Sequence, residues 1–463
     1  MNKENKMKKI PAIFLSAVTL LSCGVLSACS AEKTTTNNNT AWDTVREAYI
    51  YAFPLVITDA TKTLSTNTDG NMESRAPVNQ FSHATKLADA SFRTVVTPNV
   101  DTVYSQAWLD ISKEPMIYVL PKTDRFCNVQ LLDAWTNTTA VLDKAGAYAI
   151  ALPGWEGELP EGVTRVDVPT ATVWSIARVV LSGDEDLPNV YDIQKQMKLY
   201  PLSVYGNEES YAPPAVTYSK ENDFVPVKKV LSMTPEEFFN AANTLMQNNP
   251  PADVDKEVIK RLAAINVGAG MTFDSSVLGE DASNRWTEML KELRTTLTED
   301  AAQYGKKLGQ WNYFGKPIGD FGTEYKYRAM VALVGLGANT VDVAVYPKTE
   351  VDENGNALSG EKTYNLHFES LPPTLNGGFW SVTAYGEDDF LIDNPINRYC
   401  VNDRSSFKLN DDGSLDIILS KKAPDDTSNW LPVSDGKFHL FMRIYLPDMT
   451  ALDTWNPPVI REQ

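Results

Sequence analysis

Residues 97–109 read TPNVDTVYSQAWL, and this stretch predicts a turn followed at once by a β-strand. Pro98 and Asn99 favour the turn, and the strand begins near Asp101. Alternation along a strand sends side chains to opposite faces: one face carries Thr102, Tyr104, Gln106 and Trp108, and the other carries Val103, Ser105, Ala107 and Leu109. Hydroxyl, amide and indole groups on one face are typical of a surface that binds a sugar or another small ligand. An Asx turn with a buried hydrogen-bonded network explains the same residues, and both interpretations stay open.

Further strands are predicted on the C-terminal side of this stretch, where β-branched and aromatic residues alternate with turn residues. They cover residues 116–120, 126–135, 147–152 and 171–181. Their spacing predicts an antiparallel sandwich or barrel. On the N-terminal side, apolar residues recur at helical spacing from Trp42 to Ala52, so a helix is expected there, and Pro54 is expected to disturb it.

The middle of the chain has the pattern of helices. Thr234-Pro235-Glu236-Glu237 forms a capping box with proline at the first helical position, so a helix is predicted to start there. An apolar stripe runs from Trp286 to Tyr304, and a buried helix is predicted over residues 325–336. The proline- and asparagine-containing segment 201–226 is expected to form a long loop or lid. The last block returns to strands, with a hairpin signalled by the Asn-Gly step within residues 352–356.

The sequence therefore predicts an α+β, β-rich fold, with two antiparallel jelly-roll-like or sandwich domains and a helical block between them. The predicted divisions are a signal peptide (1–28), a polar tether (29–40), an N-terminal β-rich domain (41–184), a helical middle block (185–338) and a C-terminal β-sandwich domain (339–463).

The start of the chain predicts a lipoprotein. Four lysines precede a short apolar run from Ile10 to Val25, as in a signal peptide rather than a spanning helix. Leu26-Ser27-Ala28-Cys29 then matches the bacterial lipobox, in which cleavage before the cysteine accompanies its lipidation. Cys29 is thus the predicted lipidation site, with palmitate among the expected acyl chains. The mature protein is expected in the cell envelope, anchored on the outer face of the cytoplasmic membrane, or in an outer membrane if the source has one.

The net negative charge of the chain limits the classes of partner that it is expected to bind. The 463 residues carry a formal charge of −18, which becomes −21 without the leader's four lysines and one glutamate. So acidic a chain is predicted not to bind nucleic acid, whereas a cationic or neutral ligand stays open, as does a metal held by carboxylates. The three scattered histidines lack metal-ligand spacing, and phosphate-loop, dinucleotide and nucleophile-elbow motifs are absent from the sequence. We therefore predict no His-rich metal site and no cofactor, and the oligomeric state stays undetermined.

Candidate site residues fall into three groups. Asp101, Tyr104, Asp133 and Arg398 are the candidates for acid–base chemistry and charge stabilisation. Arg398 and Arg443 could instead hold a carboxylate or an acidic sugar, or neutralise internal aspartates. The candidate ligand-binding residues are Asn99, Trp108, Gln130, Trp135, Asn137, Asn397, Trp430, Arg443 and Tyr445. Cys127 and Cys400 either pair across the two halves of the chain or remain buried free thiols.

These motifs resemble those of a bacterial two-part family, the domains of unknown function numbered 1254 and 1214. APVNQFSHATKLAD, TPNVDTVYSQAWLDIS and NVQLLDAWTN carry the resemblance to the first domain, and GFWSVTAYG, FLIDNPINRYCVND and NWLPVSDGKFHLFMRIYLP carry the resemblance to the second. The resemblance implies a jelly-roll-like architecture and an envelope setting, and it brings no established reaction. Val100 departs from the family, in which a second asparagine often precedes the aspartate.

Three functions remain in competition. The leading hypothesis is an envelope lipoprotein that binds a small or carbohydrate-like ligand between its two β-rich domains. The expected lining consists of Tyr104, Trp108, Trp135, Arg398, Trp430 and Tyr445. The alternatives are a hydrolase or lyase that uses Asp101 or Asp133 as its base, with Tyr104 or Arg398 stabilising charge, and a surface adhesion or assembly module in which the aromatic residues only form the core.

Overall fold

A computed structural model describes residues 35–70, 75–93 and 95–463, with only the backbone described for residues 35–40. The predicted signal peptide and the lipidation site Cys29 lie outside these residues. Helices make up 29% and strands 27% of the fold, which confirms the predicted α+β class with a helical block between β-rich regions. Among the described helices, none has the length and apolar character needed to cross a membrane.

The N-terminal sandwich contains nine strands in two sheets. They are β1 (Ser82–His83), β2 (Thr102–Asp110), β3 (Met116–Leu120), β4 (Cys127–Leu132), β5 (Thr138–Leu142), β6 (Gly146–Ala151), β7 (Val163–Asp167), β8 (Thr172–Val180) and β9 (Lys198–Pro201). One sheet has the order β1-β2-β8-β4-β5 and the other β7-β6-β3-β9. Neighbours are antiparallel except β6 and β7. The predicted strands are confirmed, whereas β1, β5, β7 and β9 were missed because they are short or lie largely at the surface.

The C-terminal sandwich contains the remaining strands. They are β10 (Gly305–Leu308), β11 (Trp311–Phe314), β12 (Ala344–Val345), β13 (Lys348–Thr349), β14 (Tyr364–Phe368), β15 (Thr374–Gly386), β16 (Cys400–Asn402), β17 (Leu415–Ser420), β18 (Trp430–Pro432), β19 (Phe438–Pro447) and β20 (Val459–Glu462). One sheet has the order β10-β11-β13-β19-β15-β16, with β12 also paired to β19, and the other has the order β18-β17-β14-β20. The first two strands come from the block predicted to be helical, so that block supplies an edge of this sheet.

Eight helices complete the described fold. They are α1 (Thr35–Thr66), α2 (Leu187–Gln196), α3 (Pro226–Leu231), α4 (Pro235–Asn248), α5 (Lys256–Leu262), α6 (Ala282–Ala301), α7 (Tyr325–Val334) and α8 (Met449–Leu452). The capping box at Thr234 is confirmed, because its hydroxyl accepts from the Glu237 amide (3.2 Å) and the Glu237 carboxylate accepts from the Thr234 amide (2.8 Å). The buried helix expected from Tyr325 is also confirmed. The segment 201–226 forms short turns, and residues 352–356 form the expected turn.

Helix α1 differs from its prediction in three ways. It passes through Pro54 without ending, it begins six residues inside the predicted tether, and it packs in the helical core instead of the N-terminal sandwich. Residues 48–57 are buried on every side. The free energy gained from this packing outweighs the backbone hydrogen bond that Pro54 removes, so the helix continues through it. Once a helix has formed, adding further residues costs little free energy, so α1 extends into the polar segment 35–40.

The two faces of β2 have different surroundings, and this difference positions the candidate site. Val103, Ala107 and Leu109 face the core between the two sheets of the N-terminal sandwich. The opposite face of the same sheet is turned toward the C-terminal sandwich, since Val180 at the end of β8 packs with Phe379 and other junction residues. The predicted polar and aromatic face of β2 therefore lies at the junction of the two sandwiches.

Replacing Thr234 with alanine tests the cap that starts α4. The change removes the side-chain acceptor of the Glu237 amide, and we expect the free energy of unfolding to fall by about 1 kcal/mol. Thr298→Ala is the control, because Thr298 is exposed within α6 and bonds only to the Arg294 carbonyl one turn earlier. Denaturant unfolding followed by circular dichroism measures both; equal losses would contradict a capping role.

Candidate ligand site between the two sandwiches

The turn at Pro98 is held by the C-terminal sandwich. Arg443 on β19 donates to the carbonyl of Thr97 (3.0 Å), and the Tyr385 hydroxyl on β15 donates to the carbonyl of Pro98 (2.7 Å). The amide of Thr97 donates to the carbonyl of Asp389 (2.7 Å). A tight turn leaves such backbone groups without partners of its own, so the second sandwich fixes the conformation of this one.

Asp101 joins the two sandwiches through its carboxylate. Its side chain has no exposed surface, and it forms an ion pair with Arg404 at 2.8 Å. Ser381 donates to the other carboxylate oxygen, and Asn402 lies 3.4 Å from the first. A general base needs a free oxygen that substrate can reach, and here both oxygens are occupied. The geometry favours the buried-network interpretation of Asp101 over the catalytic one.

Asn99 connects one tyrosine from each sandwich. Its side-chain oxygen accepts from the amides of Asp101 (2.7 Å) and Thr102 (3.3 Å), which is the predicted Asx turn. Its amide nitrogen lies 3.1 Å from the hydroxyl of Tyr104 and 2.9 Å from that of Tyr445. Three of the predicted site residues therefore meet at the junction, and the Asx turn and a shared polar cluster are present together.

A row of polar side chains crosses the sheet beside Tyr104. Arg178 on β8 is paired in register with Tyr104 on one side and Asn128 on the other, and directly paired residues share a face. The guanidinium carbon of Arg178 lies 5.6 Å from the centre of the Tyr104 ring. Arg178 donates through Nη2 to Gln130 (2.9 Å), and Gln130 in turn donates to the carbonyl of Ala338 (2.8 Å).

Several polar atoms of this row have no partner. The Nε and Nη1 atoms of Arg178, both amide atoms of Asn128 and the Oδ1 atom of Asn339 are buried without a hydrogen bond. Asn339 donates from its side-chain nitrogen to the hydroxyl of Tyr346 (2.8 Å). The Tyr346 ring lies 6.2 Å from the ring of Tyr445, so Asn339 lies close to the junction tyrosines. Leaving a buried donor or acceptor unpaired costs about 1–3 kcal/mol. A concentration of such groups at one place therefore requires an explanation.

The surroundings of Tyr445 favour its neutral form, and those of Arg178 favour its charged form. Burial raises the pKa of Tyr445 well above its ordinary value, and the nearby hydroxyls of Tyr346 and Tyr104 raise it further, whereas Arg178 lowers it. Burial lowers the pKa of Arg178, but the three tyrosines raise it above its ordinary value. The phenols can donate and accept hydrogen bonds, and they are poor candidates for a general base.

Arg443 has a docking role here, and no acidic partner or ligand is needed to explain it. Beyond its bond to Thr97, it donates to the hydroxyls of Thr383 (3.1 Å) and Tyr385 (2.7 Å). Burial raises the pKa of Tyr385 to about 12, although Arg443 opposes that rise. The predicted neutralisation of internal aspartates is met instead by Arg404, which pairs with Asp101.

Asp133 and Asn137, two further candidate site residues, lie away from the junction. The carboxylate of Asp133 accepts from the backbone amides of Trp135 (2.9 Å) and Asn137 (2.8 Å) and from the Asn137 side chain (2.9 Å). Burial raises the pKa of Asp133. Asp101 adjoins one end of β8 and Asp133 the other, eight residues apart in register, which is about 26 Å at 3.3 Å per residue. These carboxylates do not form the catalytic pair considered from the sequence.

Trp135 belongs to the helical core, contrary to its predicted place in the ligand site. Its indole donates to the carbonyl of Asn249 (3.2 Å), and its ring lies 5.0 Å from that of Tyr51. Arg328 on α7 lies 5.3 Å from the Trp135 ring. Because the turn after β4 points into the helices, Trp135 cannot reach the face that carries Arg178.

The candidate site residues Arg398, Trp430 and Asn397 also lie in structural positions. Arg398 donates to the carbonyls of Thr427 (2.6 Å) and Trp430 (3.0 Å) and thereby ties two loops together. Trp430 is fully buried, and its indole donates to the carbonyl of Ser420. Asn397 occupies an exposed left-handed turn with φ of 48°. Its side chain and those of Arg398 and Trp430 are therefore not brought to the junction.

Trp108 lies on the predicted face but is covered. It stacks on Trp174 with ring centres 4.8 Å apart, and Trp174 donates to Gln106. A Cβ atom at Gly337 would lie 3.0 Å from the Trp174 ring. The Gly337 backbone is therefore packed closely against Trp174 and covers this end of the row. Trp108 is consequently not available to a ligand on this face.

The two cysteines in the described region are free. Burial raises the pKa of Cys127 to about 12, and burial does the same for Cys400, with Asp101 adding to the effect. Thiols of this kind are poor nucleophiles. Of the two interpretations left open by the sequence, the structure supports buried free thiols. Within the same described region, no cluster of three or more potential metal-ligating residues is found.

Sequence analysis missed four residues of the polar row: Arg178, Asn128, Tyr346 and Asn339. One signal was present, because Arg178 interrupts the otherwise apolar strand TVWSIARVV at a position that shares its face with Trp174. A charged residue in the middle of a buried strand is uncommon. The other three lie in segments without a recognisable pattern, and only the docking of the two sandwiches brings them together.

Comparisons with known proteins agree with this two-sandwich architecture. The family model described as protein of unknown function DUF1254 matches residues 78–201, and the model described as protein of unknown function DUF1214 matches residues 343–449. The chain therefore combines these two domains, as the resemblance implied. No match was found among curated proteins.

Crystal structures that are similar to this chain include the following two. The VPA0106 protein from Vibrio parahaemolyticus has 24% sequence identity and a TM-score of 0.69, covering 92% of this chain and 100% of its own. At that identity the likeness establishes a common fold. An uncharacterised protein from Burkholderia cenocepacia has 12% identity and a TM-score of 0.42 over 92% of this chain and 94% of its own.

Asp101→Asn tests the docking role of this carboxylate. The change removes the buried counter-charge of Arg404 and leaves it only the more exposed Asp403, and we expect the free energy of unfolding to fall by about 1–3 kcal/mol. Asp435→Asn is the matched control, since Asp435 pairs with Lys421 at the surface with 74% of its side chain exposed, and such pairs contribute little. Thermal and denaturant unfolding measure both, and an unchanged stability of Asp101→Asn would exclude the docking role.

Proposed function

We propose that the protein binds a small ligand at the junction of its two β-sandwiches, against Arg178. The N-terminal sandwich supplies Arg178, Asn128 and Tyr104, and the C-terminal one supplies Tyr346 and Tyr445. Tyr104 and Tyr346 are only half-buried, so the row is not closed off from solvent. A few convergent polar groups beside apolar walls at a domain junction are typical of small-molecule sites.

The unpaired atoms of Arg178 and Asn128 carry this proposal. Burying them costs free energy in the ligand-free protein, and the neighbouring side chains do not relieve that cost. A ligand with several oxygen atoms would supply the missing acceptors and donors at once. Groups that are needed only to hold a ligand are expected to destabilise the empty fold in this way.

The arrangement favours binding over hydrolase or lyase chemistry. The residues considered as bases are Asp101, whose oxygens are occupied, and Asp133, which lies in a separate turn. Burial raises the pKa values of Tyr445 and Tyr385, which makes proton abstraction by these two phenols at neutral pH unfavourable. The adhesion or assembly alternative has no specific contact in its favour and becomes an outcome of the following test.

A matched pair of asparagine variants tests the ligand site. Asn128 and Asn243 are equally buried, but Asn243 is fully hydrogen-bonded to neighbouring backbone while Asn128 has no partner. We expect Asn128→Ala to keep its stability and lose ligand, and Asn243→Ala to keep ligand and lose about 2–3 kcal/mol of unfolding free energy.

Native mass spectrometry of the purified protein, followed by thermal shift with a library of sugars, sugar acids, amino acids and organic acids, provides the measurement. A bound mass or a stabilising compound that is lost in Asn128→Ala supports the site. A wild-type protein that no compound stabilises and that carries no bound mass would point to the assembly alternative, and retention of the ligand by Asn128→Ala would place it elsewhere.

We also propose that the protein is a lipoprotein of the cell envelope, anchored through Cys29. The lipobox supports this proposal. Because the chain has a net negative charge, electrostatic attraction to anionic lipids would not hold it at a membrane, so a covalent lipid anchor would be needed. Durable anchoring requires more than one acyl chain, which a diacylglyceryl cysteine provides. The proposed ligand site would then face the space outside the cytoplasm.

Cys29→Ser tests the anchor, with Cys23→Ser as its control six residues earlier in the leader. In cells fed radiolabelled palmitate, we expect Cys29→Ser to lose the label and its association with membranes, since the thiol is the acylated group. Cys23→Ser should keep both. Persistent labelling of Cys29→Ser would refute lipidation at this position.

A further inference from the structure

Among the buried arginines at or near the junction, Arg178 is distinguished by its partners. Arg404 pairs with the carboxylate of Asp101, and Arg443 donates to one carbonyl and two hydroxyls. Arg178 donates to Gln130 and interacts with the hydroxyl of Tyr104, both of which are neutral, and it forms no ion pair with any described residue. Among the described arginines that are buried, Arg443 and Arg328 also lack an ion pair, but near the junction Arg178 is the one whose Nε and Nη1 atoms have no hydrogen-bond partner.

We propose that the ligand at this junction is a small hydroxylated carboxylate, with its carboxylate held by Arg178. This inference rests on the ligand site proposed above and names the chemical class of the ligand. A buried guanidinium is most favourable when it faces an anion. Three of its five N–H groups, one on Nε and two on Nη1, remain for that anion.

The surrounding groups define the rest of the ligand. Around Arg178, no second cation with unpaired nitrogen atoms is found among the described residues, which suits a singly charged carboxylate better than a phosphate dianion. The Tyr104 ring covers one side of the guanidinium, so the carboxylate approaches from the edge. Asn128 offers both a donor and an acceptor, and Asn339 offers an acceptor. Hydroxyl groups next to the carboxylate, as in a hydroxy acid or a sugar acid, would satisfy these amides.

The test compares carboxylates with their amides. Glucuronate, gluconate and lactate are each measured beside glucuronamide, gluconamide and lactamide by calorimetry and thermal shift at equal ionic strength. We expect at least one carboxylate to bind and its amide to bind at least 10-fold more weakly, because the amide has no charge for Arg178. In Arg178→Gln the carboxylate should lose about 10- to 100-fold in affinity, and Arg178→Lys should recover part of the loss.

Arg178→Met supplies a readout that does not require a ligand. Since it removes an uncompensated buried charge, its melting temperature without ligand should equal or exceed that of the wild type. Arg443→Met, which removes three hydrogen bonds of the guanidinium, should melt at a lower temperature. A lower melting temperature for Arg178→Met would assign Arg178 to the fold and overturn the proposal.

The outcomes separate the two proposals. Equal binding of a carboxylate and its amide, or a co-purified neutral compound that Asn128→Ala loses, would overturn the carboxylate inference while leaving the ligand site intact. Binding of no hydroxy carboxylate by the wild type would also overturn it. Loss of carboxylate binding in Arg178→Gln and Asn128→Ala alike, with Asn243→Ala unaffected, would support both.

Discussion

The ion pair between Asp101 and Arg404 determines how the two sandwiches sit on one another. Each sandwich has its own apolar core, and the apolar cluster between them consists of a few side chains around Phe379 and Tyr445. Apolar burial is not directional, so a small cluster holds two bodies together without fixing their angle. The ion pair, together with the bonds from Arg443 and Tyr385 to the turn at Pro98, supplies that direction.

This ion pair contributes more to the relative position of the two sandwiches than to the free energy of unfolding. Replacing a buried charge pair with apolar groups is often neutral or stabilising, so evolution toward stability alone would not require it. Here the pair places Asn99 of the N-terminal sandwich within bonding distance of Tyr445 of the C-terminal sandwich. A shift of about 1 Å between the sandwiches would break that bond. Precise docking is thus a condition for bringing the polar row and the tyrosines to one place.

The sequence predicted the parts of the junction that depend on local pattern. The turn at Pro98, the two faces of β2 and the polar character of the face with Tyr104 follow from composition and alternation, and all are present. Trp135, Arg398 and Trp430 were misplaced because their positions depend on which way a loop leaves its strand. Polar-aromatic composition describes a structural loop and a binding loop equally well.

The residues that sequence analysis could not find are those defined by docking. Arg404 lies three hundred residues from Asp101, and no spacing or motif links the two. Arg178 was detectable as an arginine in a buried strand, but its lack of a partner is a property of the assembled fold. Long-range pairing of this kind depends on how complete sandwiches pack, and that packing cannot be derived from the local periodicity of one sequence.

The division of the site explains why the two domains occur in one chain. The segment 78–201 contains the cation and Asn128, whereas the segment 343–449 contains Tyr346, Tyr445 and the arginines that hold the turn. Neither sandwich alone would enclose Arg178, because one face of its sheet would be exposed to water, where a guanidinium is fully solvated and gains little from an anion. Burial by the second sandwich removes water from around the guanidinium and thereby strengthens its attraction for an anion. The helical block, whose last residues lead to Ala338 and its bond with Gln130, sets the spacing at which that burial occurs.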